Sequence, residues 1–366
     1  MRRSRSLRVR GSLLFAATIA SAAFCALLLF AYNPEQDNVN GPVPARWQGS
    51  ATTWSLNPST GTNVHTNGGD TISAAVTKGF DTWQQTLLNG QRINNLTVTP
   101  GPTTILTDPN SADCVNILSF VPSSAVSFPT GTIAFTDVVS AFGSPPTNYQ
   151  CSTLPGLQTC SLPSCLIDAD IIFNPVEQFY TTATTPPTAF DVQAVATHEI
   201  GHMLGLDHSG IAHSMMYPFG DTTAAIQERT LAVDDVAGIA FLYPSTSFST
   251  LTGVISGQVT LGGLGIFGSH VIAIDSASGA AVIDGMTDLQ GNYKLIGLPP
   301  GNYNVLALPL APDINSGIFI LDDFAGWSCG YAGPSENSPP CCDPATNISC
   351  TGTPLSNPTN YTGTFF

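Results

Sequence analysis

The sequence predicts an α+β domain followed by an all-β sandwich, and three observations carry that prediction. Residues 70–88 have helical apolar spacing through Ile72, Val76, Phe80 and Trp83, and 188–203 and 231–244 read as two further helices. Between 95 and 174, short apolar runs such as 115–121, 131–135 and 166–173 alternate with loops rich in Pro, Gly, Ser and Thr, a pattern of strands. From 255 to 308, five period-two runs are separated by frequent turns, which indicates antiparallel strands in a sandwich.

In chain order, the first segment is basic, MRRSRSLRVR, and Gly11 to Ala31 follow without a charge. That is the form of a secretory signal or a retained N-terminal anchor. The apolar run is long for a signal and just long enough to span a bilayer. Export with cleavage, near Ala20-Ser21-Ala22 or Ala31, is the preferred reading. A membrane tether through residues 11–31, with the rest of the chain outside the cytoplasm, is the alternative. Past residue 32, five basic residues stand against 25 acidic ones. An acidic, lysine-poor surface excludes nucleic acid and anionic membrane as natural partners. The expected organisation is a leader at 1–32, a polar linker at 33–45, a first domain at 46–245, a sandwich at 253–310 and a loop-rich tail at 311–366. The opening strand is expected in TTWSLNP (52–58).

The stretch HEIGHMLGLDH, residues 198–208, carries the chemistry. On a helix, His198 and His202 project from one face and can reach one metal ion, while Val192, Ala196, Ile200 and Met203 form the core stripe. The helix is expected to start at Thr188, with Asp191 completing a capping box. Glu199 is placed to act as a base toward water at that ion. Gly205 permits the left-handed turn that returns His208 as a third ligand. Three neutral nitrogens without a thiolate point to one catalytic zinc with a ligand position left open. Met216 follows eight residues after His208, in SMMYP.

The full HExxHxxGxxH pattern, Ser209 after the third histidine, Met216 at its spacing and Tyr217-Pro218 beyond it together resemble the matrixins, the matrix-metalloprotease branch of the metzincins. FDTWQQT (80–86) and LAVDDVAGIAFLYP (231–244) add to the likeness, which covers about residues 46–245. The resemblance implies a metzincin fold with a twisted mixed sheet and three helices, and a zinc endopeptidase acting on protein or peptide substrates. It implies that Met216 floors the metal, that Tyr217 and Pro218 wall the pocket for the side chain after the cut, and that Asp234 and Asp235 brace the methionine turn. It also places the 166–174 region near the substrate cleft. Asp168 and Asp170 there are open to two readings, calcium ligands or a solvated strand face. Two departures from the family stand out: no cysteine lies in the short segment before Trp47, and no histidine lies between His65 and His198. The cysteine switch and the second, structural zinc are therefore not expected.

Cys114, Cys151, Cys160 and Cys165 form one even group, and Cys329, Cys341, Cys342 and Cys350 another. Disulfides within each group are expected, with the pairing open. In the C-terminal part, TDLQGNYKLIGLPPGNY resembles the carboxypeptidase regulatory-like, transthyretin-like domain, with Tyr293 and Tyr303 as core or corner residues. The functional expectation is an exported zinc endopeptidase with Glu199 as general base. The alternative is an exported binding or adhesion protein whose zinc domain presents the sandwich.

Overall fold

The computed structural model describes residues 36–38, 42–110, 112–184, 186–220, 229–266, 268–288, 290–308 and 364–365. The leader, most of the tail and the second cysteine group lie outside the described residues. No helix among the described residues is long and apolar enough to cross a membrane.

Strand β1 (Ala51–Leu56) leads through a loop to helix α1 (Ile72–Gln84), whose N-cap Thr71 accepts the Ala74 amide. Strands β2 (Thr97–Pro100), β3 (Ile117–Ser119) and β4 (Ala134–Phe142) follow. A hairpin, β5 (Thr147–Gln150) and β6 (Leu157–Cys160), then leads into the ten-residue β7 (Ser164–Phe173). Helices α2 (Val192–Met203) and α3 (Val233–Leu242) complete this part. The main sheet has the order β2-β1-β3-β7-β4 and is mixed. The first four strands run parallel and β4 lies antiparallel on the edge.

Every residue of β7 is buried, so both of its faces are covered and its sequence cannot alternate between water and core. Two expectations are corrected here. The strand expected at 131–135 begins at Ala134 and continues to Phe142 as β4, an edge of the sheet, while 164–173 is an interior strand. Nor do Asp168 and Asp170 sit on a solvated face, being only 1% and 2% exposed. The loop before β3 folds over them: Asp168 accepts the Asp113 amide at 2.9 Å, and Asp170 accepts the Asn110 and Ile117 amides at 2.9 and 3.0 Å. Three of their four oxygens thus receive main-chain N–H groups.

The disulfide Cys114–Cys151 staples that loop to the hairpin, and Cys160–Cys165 staples the hairpin to β7. Beneath the sheet, α1 packs on α2: the Trp83 indole donates to Thr197 O at 2.8 Å, and Trp54 stacks on Phe80. Helix α2 begins at Val192 with Asp191 as its N-cap, accepting the Ala194 amide. This corrects the expected start at Thr188. Phe190 and Asp191 are held extended, pairing with Phe179 and Tyr180, so the helix cannot begin earlier.

Beyond α3, Phe248–Leu251 forms a helical turn with Phe248 buried against Ile93 and Ala240. Strands β8 (Gly253–Gln258), β9 (His270–Asp275), β10 (Ala281–Met286), β11 (Asn292–Leu298) and β12 (Tyr303–Leu308) follow, with β13 (Thr364–Phe365). One sheet has the order β10-β9-β12-β13, while β8 pairs antiparallel with β11. Tyr293 is buried, and the Tyr303 hydroxyl donates to Pro299 O at 2.7 Å, a corner contact. Ala237, Leu242, Leu295 and Leu298 belong to one continuous apolar core, so these strands pack directly on α3.

Candidate metal centre

Helix α2 presents its ligand face because the opposite face is consumed by packing: Ala196, Ile200 and Met203 are fully buried. The helix stops where Gly205 takes φ +96, and a Cβ there would stand 2.5 Å from Ala45 O. Its last carbonyls are met by side chains: the Trp47 indole donates to Met203 O and the Tyr243 hydroxyl to Leu204 O, both at 2.8 Å. The reversal returns His208 to the first two histidines. One nitrogen from each of His198, His202 and His208 lies within 4.8 Å of the others, so the three could hold one metal ion. His198 Nδ1 contacts Met215 O at 2.7 Å and His202 Nδ1 contacts Leu206 O at 2.8 Å, which orients both rings and turns their Nε2 atoms inward. The donor set and this orientation fit zinc.

Glu199 is 5% exposed. The hydroxyl of Thr136, on edge strand β4, lies 2.7 Å from Glu199 Oε2 and 3.0 Å from its main-chain oxygen. The sequence carried no signal for Thr136, since only the packing of β4 on α2 brings it there.

Met216 lies directly under the helix. A Cβ on Gly201 would fall 2.2 Å from Met216 Sδ and 2.9 Å from Trp83, so glycine at this position is what lets the methionine approach. The methionine turn is held by one carboxylate. Asp235 accepts the Met215 amide at 2.7 Å, the Met216 amide at 3.0 Å, the Ala232 amide at 2.7 Å and the Ser214 hydroxyl. Burial raises the pKa of Asp235, and these donors offset part of that cost. Asp234 faces elsewhere, toward Ser209 and the C-terminal strands. Tyr217 and Pro218 are half-buried beyond the turn, with Tyr217 edge-on to Phe219. His213 is exposed and is not one of the gathered histidines.

Residues 157–244 match the matrixin family model. Metalloendoproteinase 2-MMP of Arabidopsis thaliana is 49% identical over 55 residues, 15% of this chain and 14% of the relative. Metalloendoproteinase 1 of Glycine max is 42% identical over 83 residues, 22% of this chain and 25% of the relative. Matrilysin of Rattus norvegicus is 51% identical over 51 residues, 13% of this chain and 18% of the relative. In each case the likeness spans a quarter or less of the relative's length. The segment matched by the matrixin model contains all three histidines, Glu199 and the methionine turn, so the likeness to matrixins and to these metalloendoproteinases falls on the part of the chain that builds the candidate metal centre.

Proposed function

We propose that this chain is an exported zinc-dependent endopeptidase that cuts peptide bonds in extended polypeptides. The observation that carries this reading is the convergence of three oriented imidazoles beside a buried, hydrogen-bonded glutamate. His198, His202 and His208 would hold the ion, and zinc in that position would supply Lewis acidity toward a carbonyl oxygen and toward water. Glu199 takes the proton of the attacking water and delivers it to the leaving amine. The Thr136 hydroxyl holds the carboxylate in place for both transfers. Edge strand β4 offers main-chain groups on which a substrate can lie as an added strand, and Tyr217 and Pro218 wall the pocket after the cut. Met216 supports the histidines from below and moves no proton.

The leader at 1–32 directs export in this reading, and the acidic surface suits an extracellular enzyme. Strands β8–β12 are a carboxypeptidase regulatory-like sandwich packed on the protease domain. The test uses the full chain against a mixed peptide library, with and without a chelator, beside Glu199→Ala. Chelator-sensitive cleavage that disappears in the variant supports the enzyme. Zinc uptake with no cleavage by either protein would overturn it and favour a binding protein.

A further inference from the structure

The two residues that follow the third ligand are each tied to a buried aspartate. Ser209 hydrogen-bonds through its side chain to Asp234 of α3. Gly210 donates its amide to Asp284 Oδ2 at 3.1 Å, and Asp284 belongs to β10, 74 residues further along the chain. The two aspartates are themselves joined, since the Asp284 amide donates to Asp234 Oδ1 at 3.2 Å. Asp284 is 2% exposed, and a buried carboxylate needs a compensating partner. His270 supplies one: its Nε2 lies 2.6 Å from Asp284 Oδ2. His270 is on β9, diagonal to Asp284 across the β9–β10 ladder, where Ile272 faces Asp284, so the two side chains share a face.

The surrounding contact is close. Gly297 of β11 has φ +91, and a Cβ there would meet the Ala237 Cβ at 2.6 Å, so the strand's glycine backbone lies directly on the alanine methyl of the helix. A tethered adhesion module would need no such registration with the loop after a metal ligand.

We propose that the C-terminal strands are a working part of the metal centre: Asp284, held by His270, fixes the 209–210 segment and thereby the position of His208. This rests on the zinc reading above. Asp284 and His270 are positioning residues, acting through the 209–210 segment.

The test measures zinc affinity and zinc release rate for the full chain by competition with a chromophoric chelator, together with the melting temperature of the zinc-free protein. Asp284→Ala is expected to weaken zinc binding roughly tenfold, as loss of outer-shell support does elsewhere, and His270→Ala to weaken it in the same direction but less. The control is Val305→Ala, a core truncation in β12, which lowers the zinc-free melting temperature while leaving zinc affinity unchanged. Asp284→Asn keeps the side-chain volume if the alanine variant fails to fold, and it too should lose zinc faster than wild type. Asp284 and His270 variants that bind and release zinc as wild type does, whatever their melting temperatures, would overturn the proposal and leave the protease reading intact. A wild type that takes up no zinc defeats both.

Discussion

Thr136 and Glu199 illustrate control by single side chains. A threonine hydroxyl has one hydrogen, and its shorter contact is to the Glu199 carboxylate. Thr136→Val should therefore lower kcat on the order of tenfold with little change in KM, and Thr136→Ser should restore it. Equal kcat in all three proteins would assign Thr136 to packing alone. Asp168 and Asp170 govern stability instead. Burial, aided by Asp113, raises Asp168 to about 7, and burial, aided by Asp168, raises Asp170 to about 8. The folded protein then keeps protons that the unfolded chain, with aspartates near 3.8, has released. The associated stability is complete below the unfolded value and is lost as pH rises toward 7–8. In chelator, the melting temperature should fall between pH 5 and 8, and Asp168→Asn should show a shallower fall. Parallel curves would remove Asp168 from the account.

At the scale of elements, helix α2 and the methionine turn form one unit because Gly201 leaves room for Met216. Gly201→Ala should cost about 1–3 kcal/mol, the usual penalty for overpacking, and should weaken zinc binding by displacing the turn. Unchanged stability by denaturant titration would show that Met216 can move away freely. The stapled loops make a second case. Cys114–Cys151 closes 37 residues and Cys160–Cys165 only five. On chain entropy alone, their removal costs about 4 and about 2 kcal/mol. Paired alanine substitutions should thus lower the melting temperature more for the first bridge. The second staple ends on β7 at Cys165, and Asp168 and Asp170 of the same strand accept amides of the loop that carries Cys114.

For the whole molecule, the decisive feature is the apolar core shared by α3 and the C-terminal strands. Two units joined this way should unfold together, so calorimetry of the zinc-loaded chain should show one transition. Two well-separated transitions would mean that the shared core contributes little. Adding chelator should shift that transition down, because an ion that binds only the folded state stabilises it by about 4 kcal/mol at a thousand times its dissociation constant.

Much of this could be read from the chain before any coordinates. The metal motif is a local object: histidines four apart on a helix, a glycine that turns it and a histidine three residues on obey short-range geometry. The same holds for the apolar spacing of α1 and for the period-two strands after residue 253. Where the reading failed, the outcome depended on distant partners. Whether Asp168 and Asp170 met water or amides was decided by a loop some 55 residues earlier. The start of α2 depended on a strand pairing with Phe179. Thr136 reaches Glu199 across 63 positions and Asp284 reaches Gly210 across 74. Spacing along a chain specifies which side chains share a helix face. Only the packed sheet and its covering strands select what those side chains meet, because that choice is made by burial and hydrogen bonding across the fold.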